Sequence, residues 1–546
     1  MLGQEYHAVG KRTPRKDGLA KVTGREIYPS DVFLPNMLYA RVLRSPYPHA
    51  RVRRIDTSEA EKAGAICVTF QETPKIIYSE RISSAPETIF KDMTVLTDKP
   101  LHVGDRIAAV AAETEAEAER ALKLIKVEYD LLDTVLDPIE SMKPDKPALH
   151  DSIVVKDKEI KIENNVAARV EMSFGDVEKG FEQSDVVIEK VYRTGRPYHT
   201  QLETKSVVCQ PELDGGLIIW TTTQSIHDVR ILVGKIFGIP LSKVNVKKMA
   251  LGDSFGSSIH VNSIIPICVA LAIKARRPVK LVSSREEDMY SHCRYPVIMK
   301  CKLGAKRDGT LVAGKMEAVV DIGAYNTQVI VFLEVMSGVW VDHYKIPNMK
   351  FEGTAVYTDK VPGCAMVGFG SPQVTFAVES IIEELAESLG MDSIELRLKN
   401  HIKLGDKFQI GPNVNVTINS FGLDEIFKKG AELIGWYNRP KLGGWKGGVK
   451  RGIGMAKGFH TSGTGAPIPM GAIDYSSAMV KINEDGTVDL VTPLIDLGGG
   501  TTDACVKVVA EELGVPLDNV NLSPLTRARP DMMYVHMPLG GLMSEV

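Results

Sequence analysis

A segment in the middle of the chain shows the clearest periodicity of apolar and polar positions. Apolar residues recur there at intervals of three and four, which is the spacing of one face of a helix: Val378, Ile381, Ile382, Leu385 and Leu389. We expect this helix to start at Pro372, with Ser371 as its N-cap, and to end at Gly390. A strand-like run at 349–357 precedes it. The pattern therefore predicts a strand, a short connection and a helix.

The connection between that strand and that helix contains Gly368 and Gly370. The first N–H groups of a helix have no partner within the helix, and the helix dipole adds positive potential at the same end. Bare glycine backbone at this position therefore favours a negatively charged ligand. A tight turn without a ligand is the alternative.

The same order of strand, glycine loop and helix occurs three times, around Gly256, Gly370 and Gly500. The first loop precedes a helix predicted at 261–274, and the third precedes one predicted at 504–513. Three such loops suggest that backbone N–H groups converge on one extended anion, such as a dinucleotide pyrophosphate. Three ordinary turns in a large α+β protein are the alternative.

Changes in composition along the chain predict an arm, a linker and three folded parts. The linker is polar and charged, and glycines between 443 and 448 mark a flexible connection inside the last part. The predicted boundaries are 1–16 for the arm, 17–136 for a first α+β part, 137–165 for the linker, 166–402 for a second part and 403–546 for a third.

Overall composition excludes several classes of protein. The chain has 546 residues, a net charge of -3, 44% hydrophobic and 25% charged residues, which is typical of a soluble globular protein without the basic footprint of nucleic-acid binding. We find no apolar leader and no run long enough to span a membrane. None of the 7 cysteines forms a Cys-x-x-Cys pair, which argues against an iron–sulfur cluster or structural zinc and favours a cytoplasmic location.

Short motifs along most of the chain resemble one family. They are Lys21-Val22-Thr23-Gly24, Leu38-Tyr39-Ala40, Arg44-Ser45-Pro46, the run 104–110, Thr222-Thr223-Gln224, Gly323-Ala324-Tyr325, the run 368–373 with Arg397, Lys399 and Asn400 beyond it, Arg451-Gly452-Ile453-Gly454 and the run 510–516. Together they resemble the molybdenum-binding large subunit of the xanthine dehydrogenase and aldehyde oxidase family, the molybdenum hydroxylases. The resemblance implies an α+β fold in which a hammerhead-like domain precedes two mixed α/β molybdopterin-binding domains, the second incomplete.

The resemblance also implies a molybdenum–molybdopterin cofactor, in the cytosine dinucleotide form usual for bacteria of this family. Three backbone segments would hold the cofactor, and Gln224 would approach the metal ligands. The implied cofactor-binding residues are Gln224, Phe255, Gly256, Met366, Val367, Gly368, Phe369, Gly370, Gly498, Gly499, Gly500, Thr501 and Thr502. Phe369 and Glu203 would face the substrate. No side chain of this chain is expected to bind the metal.

The sequence departs from the pattern of the family at several positions. Val367 stands where the family has an arginine, Asp253 and Ser254 precede Phe255, and Gly499 stands where the family has a glutamine. The family's catalytic glutamate lies in a Gly-x-Gly-Glu motif near its C-terminus, and this sequence has no such motif. We therefore expect no catalytic residue in this chain. Asp253 and Asp503 would repel an anionic cofactor unless they are paired or point away.

The expected function is that of the molybdopterin-binding subunit of a multisubunit oxidoreductase acting on a heterocycle, an aldehyde or a related electron-poor carbon. The expected partners are an iron–sulfur subunit, an FAD subunit and a second molybdenum-domain subunit that supplies the missing C-terminal part. The alternative is a non-catalytic scaffold subunit that keeps the fold but has lost or altered cofactor binding.

Three smaller alternatives accompany this interpretation. The run 496–503 is similar to the phosphate loop of actin and Hsp70-like ATPases, but the helical spacing of 504–513 argues against a hairpin there. Glu203 either serves the reaction or supports a loop. The histidines form no close metal-binding spacing, so a structural role is expected for each of them: His199, His260, His460 and His536.

Overall fold

The computed structural model describes residues 6–82, 88–409, 415–439, 448, 452–458, 460 and 478–523. Elements of the first 165 residues are α1 (Gly18–Val22), β1 (Leu38–Arg44), β2 (Ala50–Asp56), α2 (Ser58–Lys62), β3 (Ile66–Thr69), β4 (Arg106–Ala112), α3 (Glu115–Leu124), β5 (Lys126–Leu131), α4 (Pro138–Ser141), β6 (Ser152–Val155) and β7 (Lys158–Lys161).

The middle of the chain alternates strands and helices. Its elements are β8 (Val166–Phe174), α5 (Val177–Glu182), β9 (Val186–Arg193), β10 (Ser206–Pro211), β11 (Leu217–Thr221), α6 (Ile226–Phe237), β12 (Val244–Lys247), α7 (Ile264–Ala275), β13 (Val279–Val282), α8 (Arg285–Met289), β14 (Cys293–Arg294), β15 (Val297–Ala305), β16 (Leu311–Gly323), α9 (Val329–Asp342), β17 (Asn348–Tyr357), β18 (Gly363–Cys364), α10 (Ser371–Leu389) and α11 (Ser393–Asn400).

The last part contains fewer described elements. They are β19 (Lys407–Gln409), β20 (Asn415–Thr417), α12 (Leu423–Ile434), β21 (Met479–Ile482), β22 (Val488–Val491), α13 (Thr501–Leu513) and β23 (Val520–Ser523). Most of the predicted glycine connection, the last 23 residues and His536 lie outside the described residues. None of the helices in the described part is long and apolar enough to cross a membrane.

One seven-stranded sheet joins the first and second parts of the chain. Its strand order is β12–β11–β10–β13–β1–β4–β3. β1 runs parallel to β13, with Leu38 opposite Val279. Helix α7 is apolar around nearly its whole circumference and is correspondingly buried against this sheet. Tyr325 donates a 2.7 Å hydrogen bond to the carboxylate of Asp105, directly before β4, so two of the sequence motifs meet across the same boundary.

A five-stranded sheet of order β8–β17–β16–β15–β9 forms the second core. Helices α9 and α10 pack on it, and α10 buries the predicted apolar face, including Val378, Ile381 and Leu385. The predicted N-cap was wrong. Gly370 is the N-cap, with φ +93°, and Ser371 is the first helical residue. The Ser371 hydroxyl lies 2.7 Å from Nδ1 of His460 rather than capping the helix.

Residues 137–165, predicted as a linker, contain α4 and the hairpin β6–β7. Leu149 and Ile153 are buried in the core of the five-stranded sheet. The side chain of Asn165 accepts from the backbone of Leu149 over 2.9 Å. Isolated apolar residues in a polar stretch thus anchor the segment, which composition alone does not reveal.

The N-terminal arm packs against the third part. Sheet β21–β22–β23 and helix α13 form a small core that includes the side chain of Ala8. The Glu511 carboxylate accepts from the backbone N–H groups of residues 7–9, at 2.6 to 3.2 Å. The two termini of the described chain are therefore held together.

Candidate functional site

The first and second glycine loops lie against each other. The amide nitrogen of Val367 donates to the carbonyl oxygen of Phe255 over 2.8 Å. Gly256 has φ +102°, and a Cβ there would lie 2.9 Å from the carbonyl oxygen of Ala365. The positive φ and the close approach both require glycine. These two loops therefore form one continuous stretch of bare backbone.

Two further glycines shape the end of the second loop. Gly368 has φ +84°, and a Cβ there would lie 2.5 Å from Cγ of Pro372. A Cβ on Gly370 would lie 3.1 Å from Cγ of Met336, on α9. The carbonyl oxygen of Met366 accepts from the amide of Phe369 over 2.8 Å and closes the turn. The loop thus enters α10 tightly packed against α9.

The third glycine loop is closed by an aspartate. Asp496 Oδ1 accepts from the backbone of Gly498 over 2.7 Å and from that of Gly500 over 3.1 Å. Its Oδ2 accepts from the Thr502 hydroxyl over 3.2 Å. Two of the predicted anion-binding N–H groups are therefore occupied by the chain itself. Gly499 remains exposed, and the buried Thr501 hydroxyl has no hydrogen-bond partner in the described part of the chain.

Arg15 of the arm offsets part of the negative charge of this loop. Its guanidinium lies 3.1 Å from the Asp496 carboxylate and 3.8 Å from that of Asp503, and it donates to the carbonyl oxygen of Gly498 over 2.7 Å. Asp503 also accepts from the backbone of Lys16 over 2.9 Å. Asp503, which was expected to repel an anion unless paired, is thus paired with the arm.

The third loop lies against the core of the seven-stranded sheet, as the first loop does. Ile495 belongs to that core together with Leu251, which precedes the first loop, and Leu497 packs against it. The ammonium of Lys248, between β12 and the first loop, is buried without a hydrogen-bond partner among the described residues. Burial lowers the pKa of Lys248 to about 8, while nearby Asp496 raises it.

Gln224 is fixed to the first loop on one side and unpaired on the other. The Ser254 hydroxyl donates to its Oε1 over 2.7 Å, and its backbone N–H donates to the carbonyl oxygen of Ser258 over 2.8 Å. The side chain is 3% exposed, and its Nε2 has no partner among the residues described. Because buried amide donors are nearly always hydrogen-bonded, this group is suited to a ligand.

Glu203 supports the first loop. Its Oε2 accepts from the backbone of Gly252 over 2.6 Å, and its Oε1 accepts from the Thr222 hydroxyl over 2.8 Å. Burial raises the pKa of Glu203, while these hydrogen bonds oppose the rise. Both oxygens are in use, which favours the loop-supporting alternative. A role toward substrate stays a prediction.

The aromatic residues of the first two loops differ in exposure. Phe369 is 5% exposed, and its ring centroid lies 5.3 Å from that of Phe332 at 76°, in an edge-to-face contact within the core. Phe255 is 42% exposed and Val367 is 52% exposed. The apolar surface available near the two loops is therefore that of Phe255 and Val367, whereas Phe369 mainly supports α9. Its predicted contact with substrate remains untested.

Sequence reasoning missed two basic side chains that are hydrogen-bonded to the first two loops, Lys205 and Arg294, although it named their polar neighbour His199. Lys205 donates to the Ser257 hydroxyl, Arg294 donates to the carbonyl oxygen of Val367, and His199 Nε2 lies 2.7 Å from the carbonyl oxygen of Ala365. Burial lowers the pKa of His199 to about 3, so its ring is neutral. The residues are scattered along the chain, and only the placement of Lys205 directly before an apolar strand was a usable signal.

The described residues contain no group of three or more histidine, cysteine, aspartate or glutamate side chains placed to hold a metal ion. His199 has a structural contact, as expected. His460 lies beside Ser371 at the start of α10.

Family models match three successive regions of the chain. The aldehyde oxidase and xanthine dehydrogenase a/b hammerhead domain matches residues 23–133. Two models described as molybdopterin cofactor-binding domains match residues 158–401 and 429–530. The order of domains agrees with the prediction, while the exact boundaries stay predictions.

Curated relatives align over most of the chain. It is 34% identical over 518 residues to a probable xanthine dehydrogenase subunit of Bacillus subtilis, covering 93% of this chain and 65% of that one. It is 33% identical over 433 residues to the nicotinate dehydrogenase large molybdopterin subunit of Eubacterium barkeri, covering 79% of this chain and 97% of that one. The chain thus spans somewhat less than two thirds of the Bacillus relative and nearly all of the Eubacterium one.

A solved structure is similar to nearly the whole length of this chain. The aldehyde oxidoreductase of Desulfovibrio gigas superposes with a TM-score of 0.82 at 26% identity, covering 95% of this chain and 57% of that one. The chain belongs to the molybdopterin-binding large subunits of the xanthine dehydrogenase and aldehyde oxidase family. Its predicted α+β fold, a hammerhead domain followed by two molybdopterin-binding domains, is confirmed.

Proposed function

We propose that this chain is the molybdopterin-binding subunit of a multisubunit molybdenum hydroxylase that oxidises a heterocycle, an aldehyde or a related electron-poor carbon in the cytoplasm. The cofactor would be the cytosine dinucleotide form. Electrons would leave through iron–sulfur and FAD centres on partner subunits. Relatives named as xanthine and nicotinate dehydrogenase subunits support the reaction class.

One observation carries the proposal. Gln224 is fixed by Ser254 and by the backbone of Ser258, and its Nε2 is buried without a partner among the described residues. A donor held rigidly in this way is preorganised for a ligand oxygen and does not reorganise when the ligand binds. The bare backbone of Gly256 lies beside it, in a loop that no larger residue could form.

The residues present fit a molybdopterin cofactor. The two contacting loops would hold it through backbone N–H groups, and the Thr501 hydroxyl offers a further unpaired polar group on the third loop. When bound, the cofactor supplies the redox chemistry, in which a substrate carbon gains an oxygen and loses two electrons. Phe255 and Val367 would exclude water beside it and present an apolar surface to the substrate.

We further propose that the chain acts only with a second molybdenum-domain polypeptide, which supplies the glutamate base absent from this sequence. Proton transfer to a positioned side chain contributes a factor of about 10²–10⁴. The Eubacterium relative supports this division, since the chain covers 97% of it and its name is that of a large molybdopterin subunit. No residue of this chain is assigned as catalytic.

A second candidate function is a non-catalytic scaffold with the same fold. Asp496 already occupies two N–H groups of the third loop, and Val367 replaces an expected arginine. Both features weaken the attraction for an anionic cofactor. This candidate predicts a stable native complex that contains no molybdenum.

The test is to purify the chain with the products of its neighbouring genes and to measure molybdenum by mass spectrometry, the nucleotide released by acid, and hydroxylation of heterocycles and aldehydes. We expect close to one molybdenum per chain and the release of cytidine monophosphate. A complex free of molybdenum contradicts the enzyme proposal and favours the scaffold. Full turnover by this chain alone would contradict the need for a second polypeptide.

The variant Gln224→Glu tests whether the unpaired amide group of Gln224 is needed for activity. The variant keeps an acceptor for Ser254 but replaces the free N–H₂ group by a carboxylate oxygen. We expect activity to fall by about 10²–10³, the usual effect of losing one preorganised donor. Gln183→Glu, on the exposed residue that follows α5, is the control and should leave activity unchanged. Equal activity of both variants would remove the observation on which the proposal rests.

A further inference from the structure

Two basic side chains are hydrogen-bonded to the first two glycine loops, one to each. Lys205 is 1% exposed, and its ammonium donates to the Ser257 hydroxyl over 2.6 Å, directly after Gly256. Arg294 is partly buried, and its Nη2 donates to the carbonyl oxygen of Val367 over 2.9 Å. Each cation is thus hydrogen-bonded to one loop, Lys205 through a side-chain hydroxyl and Arg294 through a backbone carbonyl.

Neither cation forms an ion pair with a carboxylate within 4.0 Å in the described part of the chain, although Asp288 and Glu203 are near enough to Lys205 to raise its pKa. The ammonium of Lys205 has three donors, and its hydrogen bond to Ser257 uses one of them. Nη1 of Arg294 is buried without any partner among the described residues. Charged groups are almost never buried unless they are paired, because desolvation costs several kcal/mol per ion.

The carboxylates nearest to Lys205 accept hydrogen bonds from other groups. Asp288 Oδ2 accepts from Tyr198 and Gln201, and Oδ1 accepts from the backbone of Lys205 over 3.2 Å. Both oxygens of Glu203 are held by the first loop and by Thr222. Burial lowers the pKa of Lys205, while the nearby Asp288 and Glu203 carboxylates raise it, and burial likewise lowers the pKa of Arg294.

We propose that Lys205 and Arg294 form a cation pair that holds the phosphate-bearing part of the cofactor against the first two loops. The pair would supply the positive charge that position 367 lacks in this chain. This inference rests on the proposed function, since it requires that the chain bind the cofactor. It makes Lys205 and Arg294 binding residues, whereas a purely structural role would limit them to supporting the two loops.

The cofactor-binding role and the loop-supporting role predict different changes in the stability of the cofactor-free complex when the cations are removed. Removal of an unpaired buried charge is neutral or stabilising for a protein without its ligand, whereas removal of a structural hydrogen bond is destabilising. The test uses the purified complex of Lys205→Met and of Arg294→Met, with Lys205→Arg and Arg294→Lys as charge-keeping variants. Lys280→Met, on a half-buried lysine of β13 that donates to the Val32 carbonyl, is the matched control.

Two quantities are measured on each complex. The first is the molybdenum content after expression with the cofactor. The second is the melting temperature after expression in a host unable to make molybdopterin. We expect the methionine variants to lose about tenfold in molybdenum content, corresponding to about 1.4 kcal/mol, and to keep or raise the cofactor-free melting temperature. The charge-keeping variants and the control should retain molybdenum.

Three results would overturn the inference. Wild-type molybdenum content in both methionine variants shows that the pair does not hold the cofactor. A fall of both molybdenum and cofactor-free melting temperature assigns the pair to loop support. A wild-type complex without molybdenum overturns the proposed function and this inference with it, whereas the first two results leave the proposed function intact.

Discussion

The amide of Val367 donates a hydrogen bond to the carbonyl oxygen of Phe255 over 2.8 Å, which joins two loops more than 100 residues apart in sequence. The bond is possible because Gly256, the next residue, lets the backbone of Ala365 approach to a distance that a side chain would block. The first two loops therefore behave as one unit, and a change in either should be felt in the other.

Substitution of Gly370 tests this unit. Gly370→Val places a side chain at φ +93° and within 3.1 Å of Met336, so we expect the second loop to shift and the cofactor to be lost while the chain stays folded. Molybdenum content and the circular dichroism spectrum of the purified complex are the measurements. Normal molybdenum content would contradict the expectation.

The other end of the same helix provides the control. Gly390 also has positive φ, +64°, but a Cβ there would meet no atom within 4 Å. Gly390→Val should therefore cost only the backbone strain, about 1–2 kcal/mol, with molybdenum content unchanged. If both variants lose the cofactor equally, helix strain rather than loop geometry is responsible.

Arg397 belongs to one of the sequence motifs and lies in the core, so its substitution tests a structural role. Its guanidinium is 0% exposed and lies 2.8 Å from the Glu379 carboxylate, which also accepts from Tyr344. Arg397→Ala would leave Glu379 buried without its cation, and we expect a loss of about 3–5 kcal/mol in unfolding free energy. Lys399→Ala, on the same helix, breaks an exposed pair with Asp308 and should cost at most about 1 kcal/mol. Chemical denaturation compares the two, and equal effects would contradict the assignment.

The carboxyl group of Asp342, at the end of α9, should make the stability of the folded chain depend on pH. Asp342 is 5% exposed in a pocket whose lining includes Phe174, Ile346 and Met349 as well as Lys345 and Lys407, and burial raises its pKa to about 8. The folded chain therefore keeps a proton that the unfolded chain releases between about pH 4 and about pH 8. Its contribution to stability is fully present below about pH 4 and is lost as the pH rises through about 8.

Asp342→Asn should remove this dependence. We expect the variant to match the wild type near pH 4 and to melt at a progressively higher temperature than the wild type as the pH rises to about 8. The difference in unfolding free energy should grow by about 1.4 kcal/mol per pH unit over this range. Calorimetry of the complex across this range is the measurement, and Asp130→Asn, at an exposed position on β5, is the control. A constant difference at all pH values would show that Asp342 is charged in the folded chain.

Substitution of Glu511 tests the contact between the N-terminal arm and the third part of the chain. Glu511→Ala removes the acceptor of three backbone N–H groups at residues 7–9. We expect faster hydrogen–deuterium exchange in residues 6–17 and in the loop 496–503 that Arg15 holds. Glu512→Ala changes the exposed neighbour and should leave the exchange unaltered. Unchanged exchange in Glu511→Ala would mean that the other contacts of the arm, including those of Ala8, Arg15 and Lys16, hold it without Glu511.

Local patterns in the sequence determine much of this protein. The spacing of Val378, Ile381 and Leu385 defined α10, since a helix face repeats every 3.6 residues regardless of its surroundings. The three strand–glycine–helix units were likewise visible, because the need for glycine is a property of the backbone itself. The motifs from Lys21 to Pro516 carried the resemblance to the family.

Only the tertiary structure decided how these units are used. It showed that Asp496 accepts hydrogen bonds from N–H groups of the third loop, and that Glu203 and Phe369 support neighbouring elements. It also showed that Lys205 and Arg294 are hydrogen-bonded to the first two loops. Each of these facts depends on contacts between residues far apart in sequence. Helical periodicity and turn preferences arise from neighbouring residues, whereas burial, pairing of charges and unpaired donors arise from packing, which no single stretch of this sequence encodes.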